Sequence, residues 1–188
     1  MRYLKLSILL LYLSSCDLTE PSDVPDDQLP GNKKFFPVTS YLKGQIIDLK
    51  QAAVTPLMYI TRDGKKDSAW LSLEETEKQL QPFLEPTIDS TNLLPLFEET
   101  RFLDQTINAF TFSYMPKKKL PDSISLRRWD VYVNPENGKV QRIYMVTEKN
   151  KGSTQLTWQS DKRARIVTLE DSSGTSMVKE EKEIIWDF

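Results

Sequence analysis

Histidine is absent from all 188 residues, and cysteine occurs once, at Cys16. The first absence removes the commonest general base and the commonest metal-ligating side chain. The second excludes a disulfide framework within the chain and leaves one thiol at most for nucleophilic chemistry. Membrane-spanning length is missing too: the N-terminal apolar run, Leu6 to Leu13 (LSILLLYL), falls far below the roughly 20 residues a helix needs to cross a bilayer. Positive charge is also in short supply, with 25 Lys and Arg against 27 Asp and Glu. Nucleic acid requires a concentrated basic surface, so it is not an expected partner.

What the first residues do contain is an address. Arg2 and Lys5 form a short positive region, Leu6 to Leu13 an apolar one, and Leu13-Ser14-Ser15-Cys16 closes it with small residues. That is the layout of an export signal. The closing tetrapeptide resembles a bacterial lipobox. The resemblance implies cleavage between Ser15 and Cys16, diacylglycerol on the Cys16 thiol, and usually an acyl chain on the new amino group. Several acyl chains, at about 0.8 kcal/mol per buried methylene, give durable attachment where one chain is marginal. An ordinary signal peptide with an incidental cysteine, or a buried N-terminal element, are the alternatives. Cleavage removes Arg2 and Lys5 and no acid, which moves the formal charge from −2 to −4.

Residues 16–34 read as a tether. Asp17, Glu20, Asp23, Asp26 and Asp27 are joined by prolines, with no basic residue before Lys33. Too few apolar groups are present to offset the entropy of ordering. As a flexible coil it would hold a domain about 20 to 25 Å from its lipid. The acidic run is similar to sorting segments of Bacteroidota surface lipoproteins. Asp17 directly after the cysteine would instead mean inner-membrane retention under enterobacterial rules. A soluble spacer is a third option. The leaflet stays open, with the outer membrane or cell surface as the expectation.

Residues 35–188 are expected to form one α+β domain. Leu42, Ile46, Leu49 and Ala53 repeat at helical spacing, predicting a helix from about Pro37 to Ala52, weakened at Gly44 or closely packed there. Asp63-Gly64 between two strand-like segments, Thr55 to Arg62 and Lys65 to Leu71, predicts a hairpin with a type I′ turn. Ser72 with Glu75 forms a capping box before a second helix that Pro82 should end or kink. From Phe97 onward the period changes to two, predicting an antiparallel meander and about seven to nine strands in all. The sheet would pack on the helices, curved or as a half-barrel. Phe110, Phe112 and Tyr114 share one face, a pattern repeated by Trp129, Val131 and Val133, while Val140, Tyr144 and Val146 oppose Ile143 and Met145.

In order, Phe35-Phe36, the helix through Ile46 and Leu49, the Asp63-Gly64-Lys65 hairpin, the helix through Leu80 and Phe83-Leu84, and the meander resemble an uncharacterised lipoprotein family of Bacteroidota. The resemblance implies an envelope location and brings no activity or catalytic residues with it. No cofactor or metal is expected. Glu74-Glu75 and Glu98-Glu99 are the obvious carboxylate candidates, and adjacent residues do not converge on one bond as glycoside hydrolysis requires. Catalysis is therefore not expected, and function is sought in binding. The protein would engage another envelope protein through its sheet, or carry an apolar small molecule in a cavity lined by Phe110, Phe112, Trp129 and Tyr144. Core packing is the competing role for those four. Lys117, Lys118 and Lys119, with Arg127 and Arg128, are candidates for anionic headgroup contact, or a solvated loop.

Overall fold

The computed structural model describes residues 35–88, 91–149, 152–172 and 174–187. Ser15, Cys16 and the tether of residues 16–34 lie outside them. In chain order come α1 (Val38–Gln51), β1 (Leu57–Arg62), β2 (Lys65–Trp70) and α2 (Leu73–Leu80), then β3 (Phe97–Asp104), β4 (Ala109–Pro116), β5 (Leu126–Val133), β6 (Val140–Lys149), β7 (Gly152–Gln159), β8 (Arg163–Ser172) and β9 (Thr175–Ile185). The nine strands form one open antiparallel sheet in the order β2-β1-β9-β8-β7-β6-β5-β4-β3. No helix among the described residues is long and apolar enough to cross a membrane.

Local chemistry sets the element boundaries. Asp63 and Gly64 have φ of 50° and 75°, the two positive values of a type I′ turn, and they join β1 to β2. Ser72 caps α2: its hydroxyl accepts from the Glu75 backbone N–H, while the Glu75 carboxylate accepts from the Ser72 backbone N–H at 2.8 Å. Pro82 has no N–H to return to residue 78, so the α-helix stops at Leu80 and the chain tightens into a 3₁₀ turn over Gln81–Leu84. On α1, Val38, Leu42, Ile46 and Leu49 are buried, as the periodicity predicts. Ala53 is not on that stripe: it lies beyond the helix end, exposed, with φ of 52°. Gly44 is not a close-packing position either, because nothing lies within 4 Å of where its Cβ would be.

Strand pairing decides which side chains share a face. Residues directly opposite in an antiparallel ladder project to the same side. One row runs Trp129, Met145, Leu156, Ile166; the next runs Val131, Ile143, Trp158, Ala164, Ile184, Met58. Together with the stripe of α1, Leu80 and Phe83, these make the core, so both helices cover this inner face. Trp129 is its centre, stacked on Tyr114 at 4.5 Å and tilted against Phe97 at the same distance, while Trp158 meets the edge of Phe83 at 5.5 Å. Two expectations need correction here. A register shift between Tyr132 and Val133 pairs Val133 with Val140, which puts Val140 against the core rather than opposite it. Tyr144 pairs with Asp130 and so lies on the outer face, away from Phe110, Phe112 and Trp129.

The sheet does not close into a barrel. β2 and β3 are its edges, and β2 is exposed along its whole length, with Lys65 and Lys66 discouraging further strand addition.

Two glycine substitutions should move stability in opposite directions. At Gly152 an added Cβ would lie 2.3 Å from the Leu169 carbonyl oxygen, so Gly152→Ala should cost about 1–3 kcal/mol. Gly44→Ala in the open middle of α1 should add up to about 1 kcal/mol. Urea unfolding of the two variants beside the parent measures both; equal effects would contradict the packing described.

Candidate functional site

The aromatic set that the sequence offers as a ligand lining is not one. Trp129 is fully buried in the stack just described, and Phe110 is buried opposite Val133. Phe112 is partly exposed at the rim, with the Arg101 guanidinium 5.7 Å above its ring, and Tyr144 faces the other way. Lys117, Lys118 and Lys119 are exposed in the β4–β5 connection, where Lys117 Nζ donates to the Pro95 carbonyl at 3.0 Å. Arg127 and Arg128 do not join them as one patch. Arg127 Nε bonds Glu148 at 2.8 Å and Arg128 bonds Asp130.

A large concavity lies elsewhere on the inner face, beyond the helical cover. It is an open cleft of about 1280 Å³ between the sheet and the segment from Lys78 to Pro86, closed at one side by Asp122, Ser123 and Ser125. Its floor is two rungs of the sheet. Thr147, Thr154, Thr168 and Glu180 stand opposite one another across β6, β7, β8 and β9, and Leu156, Ile166 and Lys182 form the next rung inward. At the usual strand spacing the outer rung measures roughly 14 Å. Elsewhere the same strands place large apolar residues inward; here they place hydroxyls. That substitution was the signal available in the sequence, but only the register puts the three threonines side by side.

Charge in the cleft is balanced. Lys78, Arg127, Lys149 and Lys182 face Glu85, Asp122, Glu148 and Glu180. Lys182 Nζ lies 3.2 Å from Glu180 and donates to Gln79 Oε1, also at 3.2 Å, and Arg62 Nε donates to Glu180 at 2.9 Å. Burial alone would raise the Glu180 pKa, but the bonds from Arg62 and Lys182 outweigh it and hold the carboxyl below its ordinary range. Glu180 is therefore anionic at neutral pH. Chemically the cleft offers hydroxyls, carboxamides and paired charges: groups that bind a polar ligand, with no net field to attract one sign.

A second polar constellation sits on the outer face. Asp130, with no exposed side-chain surface, accepts from Ser113 Oγ at 2.6 Å and from Arg128 Nε at 3.0 and 2.9 Å. Ser113 donates its proton to a carboxylate already neutralised by arginine, an arrangement that holds strands β4 and β5 together and leaves the hydroxyl unactivated. Tyr132 and Tyr144 flank it. Burial is the main reason that both phenols titrate above their usual range, with Asp130 adding to the effect.

No protein-family model, curated protein or solved structure matches this chain.

Removing the buried carboxylate charge should be costly, because Arg128 and Ser113 lose their shared acceptor. Asp130→Asn is expected to destabilise by about 2–3 kcal/mol and Ser113→Ala by about 1–2 kcal/mol. Since both act on one group, the double variant should cost less than the two added together. Denaturant midpoints of the four proteins would reveal it; strict additivity would mean that the two residues are independent.

Proposed function

We infer that this is a lipid-anchored protein of a bacterial envelope that works by binding, and that the cleft holds an extended segment of a partner protein. The observation that carries this reading is the cleft's lining: a threonine floor and balanced charges in a space larger than most small-molecule sites. A roughly 14 Å rung accommodates about four residues of extended chain. Peptide N–H and C=O groups match threonine hydroxyls and the carboxamides of Gln79 and Gln81, and a segment carrying both signs of charge matches the walls. Among the described residues that line the cleft none is aromatic, so the rings on which sugars and bases stack are missing.

An apolar cargo has less support. Of the rings that would have lined its cavity, Trp129 is stacked on Tyr114, Phe110 is buried and Tyr144 lies on the other face, and only Leu156, Ile166 and two prolines contribute apolar surface to the cleft. The envelope address rests on Arg2 to Cys16 and its likeness to a lipobox.

Thr154→Trp would fill the floor without entering the core. Selection from displayed random peptides should enrich mixed-charge sequences that bind the parent and lose at least about tenfold in affinity with Thr154→Trp, a change of about 1.4 kcal/mol. Saturable uptake of an apolar fluorophore, abolished by the same substitution, would overturn the reading in favour of a carrier, and so would failure to enrich any peptide. For the address, radioactive palmitate should label the parent and not Cys16→Ser. Equal labelling of both, or of neither, would refute it.

A further inference from the structure

We propose that a basic groove at the opposite end of the strands from the cleft docks on the phosphate groups of an anionic lipid surface, orienting the domain with its cleft turned away from the membrane. This rests on the lipid-anchor reading of Cys16 and not on the identity of the cleft's ligand.

The groove, about 520 Å³, is formed where β5 turns into β6 and β7 into β8, with Ile107 of the β3–β4 turn at one side. The cleft uses the other ends of these strands, from Thr147 to Lys149 on β6 and Thr154 on β7. Lining the groove are Lys139, Arg142, Lys162 and Arg163 against one acid, Asp161. That is a strong local excess of positive charge in a chain of formal charge −2. Arg142 is held in place: its guanidinium lies 4.0 Å above the ring of Tyr132, which fixes its plane beside the groove. Arg163 is engaged with Gln159 at 2.6 Å and Glu183 at 2.9 Å, so the contacting set is Lys139, Arg142 and Lys162. Gln141 and Asn137 add neutral polar groups between them.

The point where the anchored chain enters the domain supplies the second argument. Tyr41, in the first turn of α1, hydrogen-bonds Ser160 of the groove at 2.7 Å. The first turn of α1 is therefore packed beside this groove. A lipid anchor on the chain upstream of that turn would favour this end of the sheet facing the bilayer. Lys117 to Lys119 leave β4 at the opposite end of the sheet, so the two basic clusters imply opposite orientations.

The test uses the chain with Cys16→Ser, so that electrostatic docking is measured without the lipid. Vesicles of equal parts phosphatidylglycerol and phosphatidylcholine should bind it, vesicles of phosphatidylcholine alone should not, and added salt should weaken the binding. At roughly fivefold per cation, replacing Lys139, Arg142 and Lys162 by Gln should reduce partitioning on the order of 100-fold. Replacing Lys117, Lys118 and Lys119 by Gln should change it little. A larger loss from the second set than from the first, or equal binding to neutral vesicles, would overturn the proposal. Direct binding of inorganic phosphate at low millimolar concentration, seen by calorimetry and with no vesicle binding, would identify a site for a soluble anion instead and would equally overturn it. Peptide binding by the cleft should be the same in all these variants, so failure here and failure of the cleft reading are separable.

Discussion

The arrangement depends on one long-range pairing: β9, the last strand, lies between β8 and the hairpin made near the start of the domain. Six rungs join β1 to β9, from Leu57 opposite Ile185 to Arg62 opposite Glu180. Without them β1 and β2 would be an isolated two-stranded ribbon, which is marginal in water. The same pairing gives the C-terminal strand a part in both the cleft and the core, because Glu180 and Lys182 project into the cleft while Ile184 fills the core. Arg62 then links the hairpin to the cleft wall through Glu180. Pairing the ends of the domain also implies high contact order, and hence slower folding than for a domain of local contacts.

Helices and sheet divide the inner face between them. Over β4 to β7 the face is closed by α1, Leu80 and Phe83, and there the strands supply Tyr114, Trp129, Val131, Ile143 and Trp158. Past the end of that cover a large apolar side chain would be left in water, and the strands change to threonine. The energetic cost of the packed half is visible in its polar atoms. Among the described residues the indole nitrogens of Trp129 and Trp158 are buried without an acceptor, which opposes the burial of each ring by about 1–3 kcal/mol. Burial, with Glu99 beside it, raises the pKa of the Tyr114 phenol far above its ordinary range, so that group is neutral at any physiological pH.

Much of the architecture was legible because it is written in neighbouring residues. Asp63-Gly64 and the Ser72–Glu75 box define their turns within four residues, and the alternation through Phe110, Phe112 and Tyr114 gives a face without reference to any partner. What was not legible depends on register. Tyr144 and Met145 are adjacent, and which one meets Trp129 is set by the irregularity between Leu126 and Arg128, where the ladder to β6 shifts. Grouping Tyr144 with the inward aromatics failed for that reason. The pairing of β9 with β1 was hidden as well, since Lys179 to Glu183 is a charged stretch with little apolar alternation. Residues of the cleft span Lys78 to Lys182, with no spacing that a linear motif could capture.

A polar sheet face does not by itself imply a ligand, and the two faces of this sheet show the difference. On the outer face the uncovered strands carry long side chains that lie across it in pairs: Arg165 Nε bonds Glu181 at 2.7 Å and Arg163 bonds Glu183 at 2.9 Å. Such pairs contribute little to stability when exposed, but their stems cover the backbone and fill the space above it. The cleft floor has the opposite design. Thr147, Thr154 and Thr168 are short, and the longer charged groups stand at its margins, where Arg127 bonds Glu148 and Lys182 bonds Glu180. A surface that only had to be wetted would be served equally well by the first solution. Short β-branched residues, stiff at χ1, keep the volume above the floor open and the orientation of their hydroxyls fixed, the preorganisation on which the proposed binding depends.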